Sequence, residues 1–525
     1  MQLTSWGIFI FCIYLVVVMG IGFYSGRKGG ESKANYFLAG RGLPWYAIGF
    51  SLIAASISTE QFIGEVGWAY RHGLAVANWE WLCWPAQGLL LFFFLPLYLK
   101  NKIYTIPEFL RKRFNTLTGT TFSVILIVMY VVINLPLVLY SGGFVMNKIF
   151  GLNLFVGIWI LALTAGAYTI YGGLSAAAWV DLFNGVLLLA GGLLVFVLGL
   201  KAVPGGFSAV IGTGERAQLM LPADHPDLPW TGMIAVAIVT SGFYYTTNQF
   251  ITQKCLAAKS EWDGKMGIVL TAFLALPLAL CVTWPGLIAY ALNPALDHPD
   301  SAYPYLISTL IPVGLRGLMF AVLFGALMST IDSLLSSTSS LVTLDIYKQV
   351  INKKASDRAL VRFARIFGSL LLIFSALWSP MVGRFETIFA YVQECWALMM
   401  APCMAVFILG IFWKRANSTA AVITFFSSLP MLILVFIREF YGILDGINIF
   451  NLSAFVFLFS LGFMILVSYV TKPSGEENTT TTIWHPSVLG FSAQQSSAHF
   501  PLYKRIAFWW TIVVMLFVII YIKYW

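Results

Sequence analysis

Apolar residues run along this chain in blocks of about twenty, separated by short segments that carry most of the charge. A helix needs about 20 mostly apolar residues to cross a bilayer. Fourteen such stretches can be drawn, at approximately 5–25, 44–70, 74–99, 117–148, 154–172, 176–200, 231–254, 263–292, 314–340, 359–382, 386–413, 417–440, 446–470 and 504–524. The pattern predicts an all-α membrane protein. With the N-terminus outside, 23 of the 31 Lys and Arg fall on the inner side of the alternating loops, so the positive-inside rule predicts both termini outside. The first stretch is too long for a cleaved signal and lacks its basic flank, and it is expected to stay as a helix.

Composition supports this picture. Only 10% of the residues are charged and 59% are hydrophobic, against roughly 25% charged in a soluble domain. The net charge of +9 sits in loops between spans, which removes nucleic acid as a partner. The six cysteines (Cys12, Cys83, Cys255, Cys281, Cys395, Cys403) show no close metal-ligand spacing and read as small buried hydrophobes. All five histidines (His72, His225, His298, His485, His499) are expected in loops. The longest soluble pieces are 201–230, outside, and 472–502, inside; the second reads as a polar linker with no fold of its own.

The interruptions of the spans are more informative. The second stretch contains a small, polar patch at 54–61, and the seventh contains another at 240–249. They lie five helices apart, so stretches 2–6 and 7–11 read as two repeats, each opening with a discontinuous helix. An odd number of helices per repeat inverts one half against the other, which is the pattern of secondary transporters. Ser and Thr that only aid helix packing are the bland alternative.

The ninth stretch carries Ser329, Asp332, Ser333, Ser336 and Ser340 at helical spacings of three and four, with Thr330 beside them. Hydroxyl and carboxylate oxygens are ligands for hard cations. Serines bonding back to their own helix would explain most of these residues singly, but not Asp332, since an acid within a span is a functional candidate by default. Further embedded acids are Glu60, Glu65, Glu80, Asp181 and Glu394. Glu80 stands between Trp79 and Trp81, close to Asn78, a mixture of polar groups and rings that suits polyhydroxylated ligands; the alternative is a structural role, as partner to a backbone or hydroxyl donor.

The segments Tyr36–Trp45, Ser51–Gly64, Tyr104–Phe109, Tyr171–Ala176 with Trp179 and Asp181, Leu256–Ser260, Asp345–Lys348 and the run from Tyr391 to Lys414 resemble the sodium/solute symporter family, most of all its sodium/glucose cotransporter branch. The resemblance covers roughly residues 5 to 415. It implies a five-plus-five inverted repeat of the leucine-transporter type at 44–413, preceded by an N-terminal helix and cytoplasmic loop at 1–43. Accessory helices would follow at 414–525, with the polar linker at 471–503. It further implies sodium as the co-transported ion, a multi-pass protein of the plasma membrane, and no covalent catalysis.

Carried over residue by residue, the resemblance implies a sodium site from Ala54, Ile57 and Ala326, through backbone carbonyls, with the hydroxyls of Ser329 and Thr330. A second cation position would involve Asp181, Ser329, Asp332 and Ser333. Asp332 stands where relatives have a hydroxyl residue, and either a second cation or a proton fits that change. Gln61, Glu80 and Gln393 match polar residues that bind sugar hydroxyls, Tyr244 an inner aromatic closure, and Trp79 and Phe389 an outer gate. Three departures stand out: Cys83 where some relatives have Ser, Ser241 where they have Asn or Thr, and Ala275 where sugar cotransporters have Lys. The expectation is a sodium-coupled symporter that imports a sugar or polyol by alternating access. The alternatives are a non-transporting sensor or leak on the same fold, or a symporter for an acidic sugar or other carboxylate.

Overall fold

The computed structural model describes residues 4–58, 61–384, 388–427, 448–473, 479–488 and 501–525, with positions 430, 433 and 475; the side chains of 148–150, 383–384, 388–395 and 397–398 lie outside the described residues. Helices dominate, and two isolated bridges, Leu43 with Ala258 and Leu221 with Pro229, are the β-type pairings among the described residues. Ten described helices are long and apolar enough to cross a membrane, and Trp45–Ser56 is a shorter apolar one. The stretches at 386–413 and 417–440 lie partly outside the described residues. Two of the stretches break in mid-course, and these breaks shape the site.

The N-terminal helix α1 (Ser5–Gly26) leaves much of one side exposed, as expected of a lipid-facing helix. Helix α2 (Trp45–Ser56) stops where Ile57 turns extended, at φ −111° and ψ 121°. The chain resumes in the wide turn Gln61–Glu65 and in α3 (Val66–His72). The small polar run Ala54–Ser58 has little apolar side chain to hold it in place, which weakens the helix there. Gln61 caps the restart: its Oε1 accepts from Ser58 N at 2.7 Å and from Ser58 Oγ at 3.0 Å. His72 ends α3 and so belongs to a helix, a correction to the loop position expected for it. The short helix α4 (Asn78–Trp81) follows.

Helices α5 (Leu154–Gly172) and α6 (Leu174–Ala202) are joined by Gly173, whose φ of 63° and close approach to the Tyr36 carbonyl require glycine. On α6, a Cβ at Gly185 would lie 2.8 Å from the Phe50 carbonyl, so glycine lets α6 press against α2. The second break separates α7 (Ser241–Thr246) from α8 (Gln249–Leu256), with Asn248 extended at φ −75° and ψ 122°. Tyr130 fills the gap. Its hydroxyl donates to Asn248 Oδ1 and accepts from Gln249 N at 3.1 Å. The two interruptions sit at the two polar patches expected from the sequence, one in each half.

Helices α9 (Glu261–Val282) and α10 (Trp284–Leu292) pack against α2 and α3. Helix α11 (Arg316–Ser340) is central: every residue from Met319 to Ser340 is buried. Its hydroxyls therefore meet protein rather than lipid. Some bond back to their own helix, as Thr338 Oγ1 does to Leu334 O at 2.7 Å, while Ser337 Oγ reaches Gln253 Oε1 at 2.9 Å and Ser339 Oγ reaches Ala364 O at 2.8 Å.

Helix α12 (Ile388–Phe412) and the helix α13 (Ile449–Val470) pack together. The last helix, α14 (Ile506–Tyr524), is tied into the body of the protein. Tyr521 Oη donates to Asn78 Oδ1 at 2.5 Å, Leu219 N donates to Tyr524 O at 2.6 Å, and Asn78 Nδ2 donates to Leu219 O at 2.5 Å. Part of the polar linker is also docked, contrary to expectation. Trp484 N donates to Ile411 O at 3.0 Å and its ring lies 5.1 Å from that of Phe93. The indole has apolar area to bury, and the neighbouring threonines do not oppose it.

Candidate solute and ion site

The breaks in α2–α3 and α7–α8 face a common space of about 160 Å³, the scale on which a single six-membered ring fits. Gln61, Trp79, Glu80, Cys83, Ser241 and Tyr244, drawn from three separate segments, all line it. Glu80 is buried at the end of α4, and one turn later Cys83 donates from Sγ to Trp79 O at 3.0 Å and lies 3.5 Å from Ser241 Oγ. The Trp79 ring is 6.1 Å from that of Trp68 and 5.4 Å from that of Phe450. Tyr244 packs its ring against Phe250 at 5.6 Å, on the side of the α7–α8 break. A carboxylate, amides and aromatic rings in one wall let a ring compound meet both polar and apolar surfaces.

Two further wall residues gave weaker signals. Asn134 is a lone amide in the apolar run Tyr130–Val138, which was a legible clue; its Oδ1 accepts from Trp396 Nε1 at 3.1 Å. Trp396 stands in an apolar helix like any other aromatic and offered none. The side chains of Phe389, Gln393 and Glu394, like Glu60 and Cys395, lie outside the described residues. Ala275 is buried on α9 and is not among the residues of the cavity wall.

The expected ion ligands lie on α2 and α11, which pack against one another. Ala54, Ile57, Ala326, Ser329 and Thr330 are all buried. Thr330 also lines the cavity, as do Ala55, Ser56 and Ser58 around the α2 break, so the ion and solute candidates share a wall. Thr330 Oγ1 bonds to Ala326 O at 3.2 Å, while Ser329 Oγ donates to Asp181 Oδ1.

Asp181 is the hub of a polar cluster between α2, α6, α8 and α11. Its Oδ2 accepts from Ser51 Oγ at 2.6 Å and from Lys254 Nζ at 2.8 Å, and Lys254 Nζ also donates to Ser51 O at 2.8 Å. Lys254 and Asp181 are both fully buried. The sequence gives Lys254 as one of the positive charges flanking a span; the structure turns it inward onto the acid. Asp332 has a different neighbour: Tyr168 Oη donates to its Oδ2 at 2.8 Å, and Ser333 Oγ lies 3.4 Å from its Oδ1. Four of the six cysteines, Cys83, Cys255, Cys281 and Cys403, are buried, and Cys12 is exposed on α1.

Known proteins resemble this chain in sequence and in fold. Residues 36–428 match the model of the sodium:solute symporter family. The chain is 38% identical over 454 residues to the sodium/glucose cotransporter of Vibrio parahaemolyticus, covering 81% of this chain and 83% of that one. It is 32% identical over 542 residues to the human sodium/myo-inositol cotransporter, covering 90% of this chain and 75% of the relative. In fold it is similar to a solved sodium-coupled sialic acid symporter in a substrate-bound, outward-open state, with a TM-score of 0.78 at 23% identity, covering 90% of this chain and 99% of that one. With the two broken helices, the buried hydroxyl face of α11 and the shared cavity, these matches establish that the chain belongs to the sodium:solute symporter family: it is a multi-pass membrane protein that moves a solute together with sodium, without covalent chemistry.

Proposed function

We propose that the solute is a sugar or polyol, bound by Gln61, Glu80, Cys83, Ser241, Tyr244 and Gln393 between the gate residues Trp79 and Phe389. Sodium is held by the carbonyls of Ala54, Ile57 and Ala326 and the hydroxyls of Ser329 and Thr330. The observation that carries the reading is the shared wall, in which Thr330 and Glu80 line one cavity. An ion at the α2 break would stiffen the segment that presents Gln61, so sodium and solute favour the same arrangement of the helices. Relatives named for glucose and myo-inositol, both polyhydroxylated rings, support the solute class. Glu80 argues against an acidic sugar, since two negative charges would meet in a buried site.

Transport is inward and proceeds by rocking of the two inverted repeats about the midplane site. A plasma membrane with both termini outside suits the distribution of positive charge. A potential of about 100 mV contributes about 2.3 kcal/mol per charge, and a tenfold sodium gradient about 1.4 kcal/mol. One sodium per solute then sustains roughly 500-fold accumulation. At the second cation position, formed by Asp181, Asp332 and Ser333, Lys254 already supplies a positive charge to Asp181, which favours a single mobile sodium.

The test is a thermal-shift screen of glucose, galactose, myo-inositol and sialic acid, each with and without sodium, followed by counterflow in proteoliposomes. A neutral sugar or polyol that stabilises only in sodium and exchanges across the vesicle fits the reading. Stabilisation by sialic acid alone overturns the solute class, and binding without exchange overturns transport of that solute.

A further inference from the structure

Three wide turns among the described residues border the solute cavity, and each brings a polar side chain to its wall. They are Gln61–Glu65 with Gln61, Met129–Asn134 with Asn134 and Val236–Thr240 with Thr240. The middle one has a cause in the sequence. Pro136 has no N–H to give to the Val132 carbonyl, and its ring crowds that carbonyl. The helix widens just before it, so that Leu135 N–H reaches back to Tyr130 O. Wide turns of this kind gather at functional sites. Here the turn sets Tyr130 into the α7–α8 break and, four residues on, Asn134 against the cavity.

The Asn134 amide can face only one way. An indole N–H donates and never accepts, so the atom that Trp396 Nε1 meets at 3.1 Å is Oδ1. Both side chains are buried, and both line the cavity. With Oδ1 engaged, Nδ2 is the polar atom that Asn134 has left for the cavity, and it has no partner among the described residues. Gln61 is held in the same sense, since its Oε1 accepts from Ser58 N and Ser58 Oγ. No Lys, Arg or His lines the cavity among the described residues, and the hydroxyl hydrogens of Ser and Tyr are free to rotate. The amide hydrogens are therefore the donors of fixed direction in this wall.

We propose that Asn134 is a further solute-binding residue, whose Nδ2 donates to one oxygen of the solute, and that Trp396 is the positioning residue that holds the amide in this sense. This rests on the sugar reading above and narrows it. The solute must bring an acceptor to one defined point. A hydroxyl or ring oxygen meets Nδ2, whereas a C–H there leaves a buried donor unpaired. An amino group carried as ammonium sets donor against donor. Asn134 thus reads one position of the ring, and Trp396 acts only through it.

The experiment measures binding to the purified full-length chain in sodium, by thermal shift and by competition. The probes are glucose, galactose and myo-inositol, with the monodeoxy analogues of each. Wild type is compared with Asn134→Ala, which removes the donor, and with Trp396→Phe, which keeps an aromatic ring and removes the N–H. A retained sodium-dependent thermal shift shows that a variant is folded; where Asn134→Ala loses it, Asn134→Leu, of similar volume, takes its place. In wild type, removing one particular hydroxyl is expected to weaken binding about tenfold. Asn134→Ala should bind the parent ring about tenfold more weakly and lose nothing further with that analogue. Trp396→Phe should shrink the penalty for the same analogue and leave the ratios for all the others unchanged, which a merely structural role would not do. Wild-type ratios that persist in Asn134→Ala, or a variant that weakens every analogue alike, overturn the proposal while the sugar reading stands. If wild type binds none of these rings, the sugar reading falls and the proposal falls with it.

Discussion

Replacing Lys254 with Met tests the polar hub directly. Methionine keeps most of the length and volume of lysine, so the change removes a charge and little packing. Lys254 Nζ donates to Asp181 Oδ2 and to Ser51 O, both at 2.8 Å, and neither charged partner is exposed. With an effective dielectric of about 20, a pair at this separation attracts by about 6 kcal/mol before desolvation is counted. Removing one partner of a buried pair costs about 3–5 kcal/mol, because the other is left uncompensated. Lys254→Met is therefore expected to lower stability by that amount. Asp181→Asn together with Lys254→Met should recover most of it, since the two polar partners that remain, Ser51 and Ser329, suit a neutral amide. The assay is a double-mutant cycle on denaturation midpoints in detergent, run at low and high sodium. High sodium should stabilise Lys254→Met more than wild type, as a mobile cation takes the place of the tethered one. A single variant within about 0.5 kcal/mol of wild type, or a double variant no better than Lys254→Met, would refute the reasoning.

Three other outcomes follow from the same geometry. Replacing Ser329 and Thr330 together with Ala should abolish sodium-dependent uptake while the protein stays folded, which fluorescence-detected size exclusion checks; full sodium stimulation would remove this site from the mechanism. Gln61→Ala should weaken solute binding by about 1–3 kcal/mol, or roughly 5- to 150-fold, and should also loosen the α2 break, because Gln61 Oε1 caps Ser58; direct binding assays read the first effect and hydrogen exchange the second. Asp332→Asn should leave a sodium Hill coefficient of one unchanged, since Tyr168 still finds an acceptor in the amide oxygen; a coefficient above one that falls in the variant would instead assign Asp332 to a second sodium.

Much of the fold was legible because membrane burial writes itself into local patterns. The breaks near Ile57 and Asn248 showed as small, polar patches, and the hydroxyl face of α11 showed as a spacing of three and four. Glu80, Gln61 and Tyr244 were found through motifs, and their meeting in one cavity needed only the inverted-repeat topology. Contacts between distant segments were not legible. Lys254 sits near a span end, where a lysine ordinarily flanks a membrane, and nothing local distinguishes one that turns inward to meet Asp181. Gln61 read as a solute ligand alone, but half of its amide serves the broken backbone. Trp396 and Trp484 each look like one more interfacial aromatic until their partners, Asn134 and the Ile411 carbonyl, are known.

The bond between Tyr521 and Asn78 has a consequence for how the transporter is made. The two residues are 443 positions apart, and Asn78 immediately precedes Trp79 and Glu80 in the cavity wall. At synthesis rates of about 5–20 residues per second, Asn78 waits roughly 20 to 90 s before its partner exists. Until then the wall of the solute cavity lacks one of its braces, and Leu219 lacks the carbonyl of Tyr524. Helix α14 thus acts as a closing pin in biogenesis: a nascent chain can insert every earlier span and still hold its site loosely until Tyr521 is made. A ribosome that stops before Tyr521 leaves Asn78 without this bond beside the solute site.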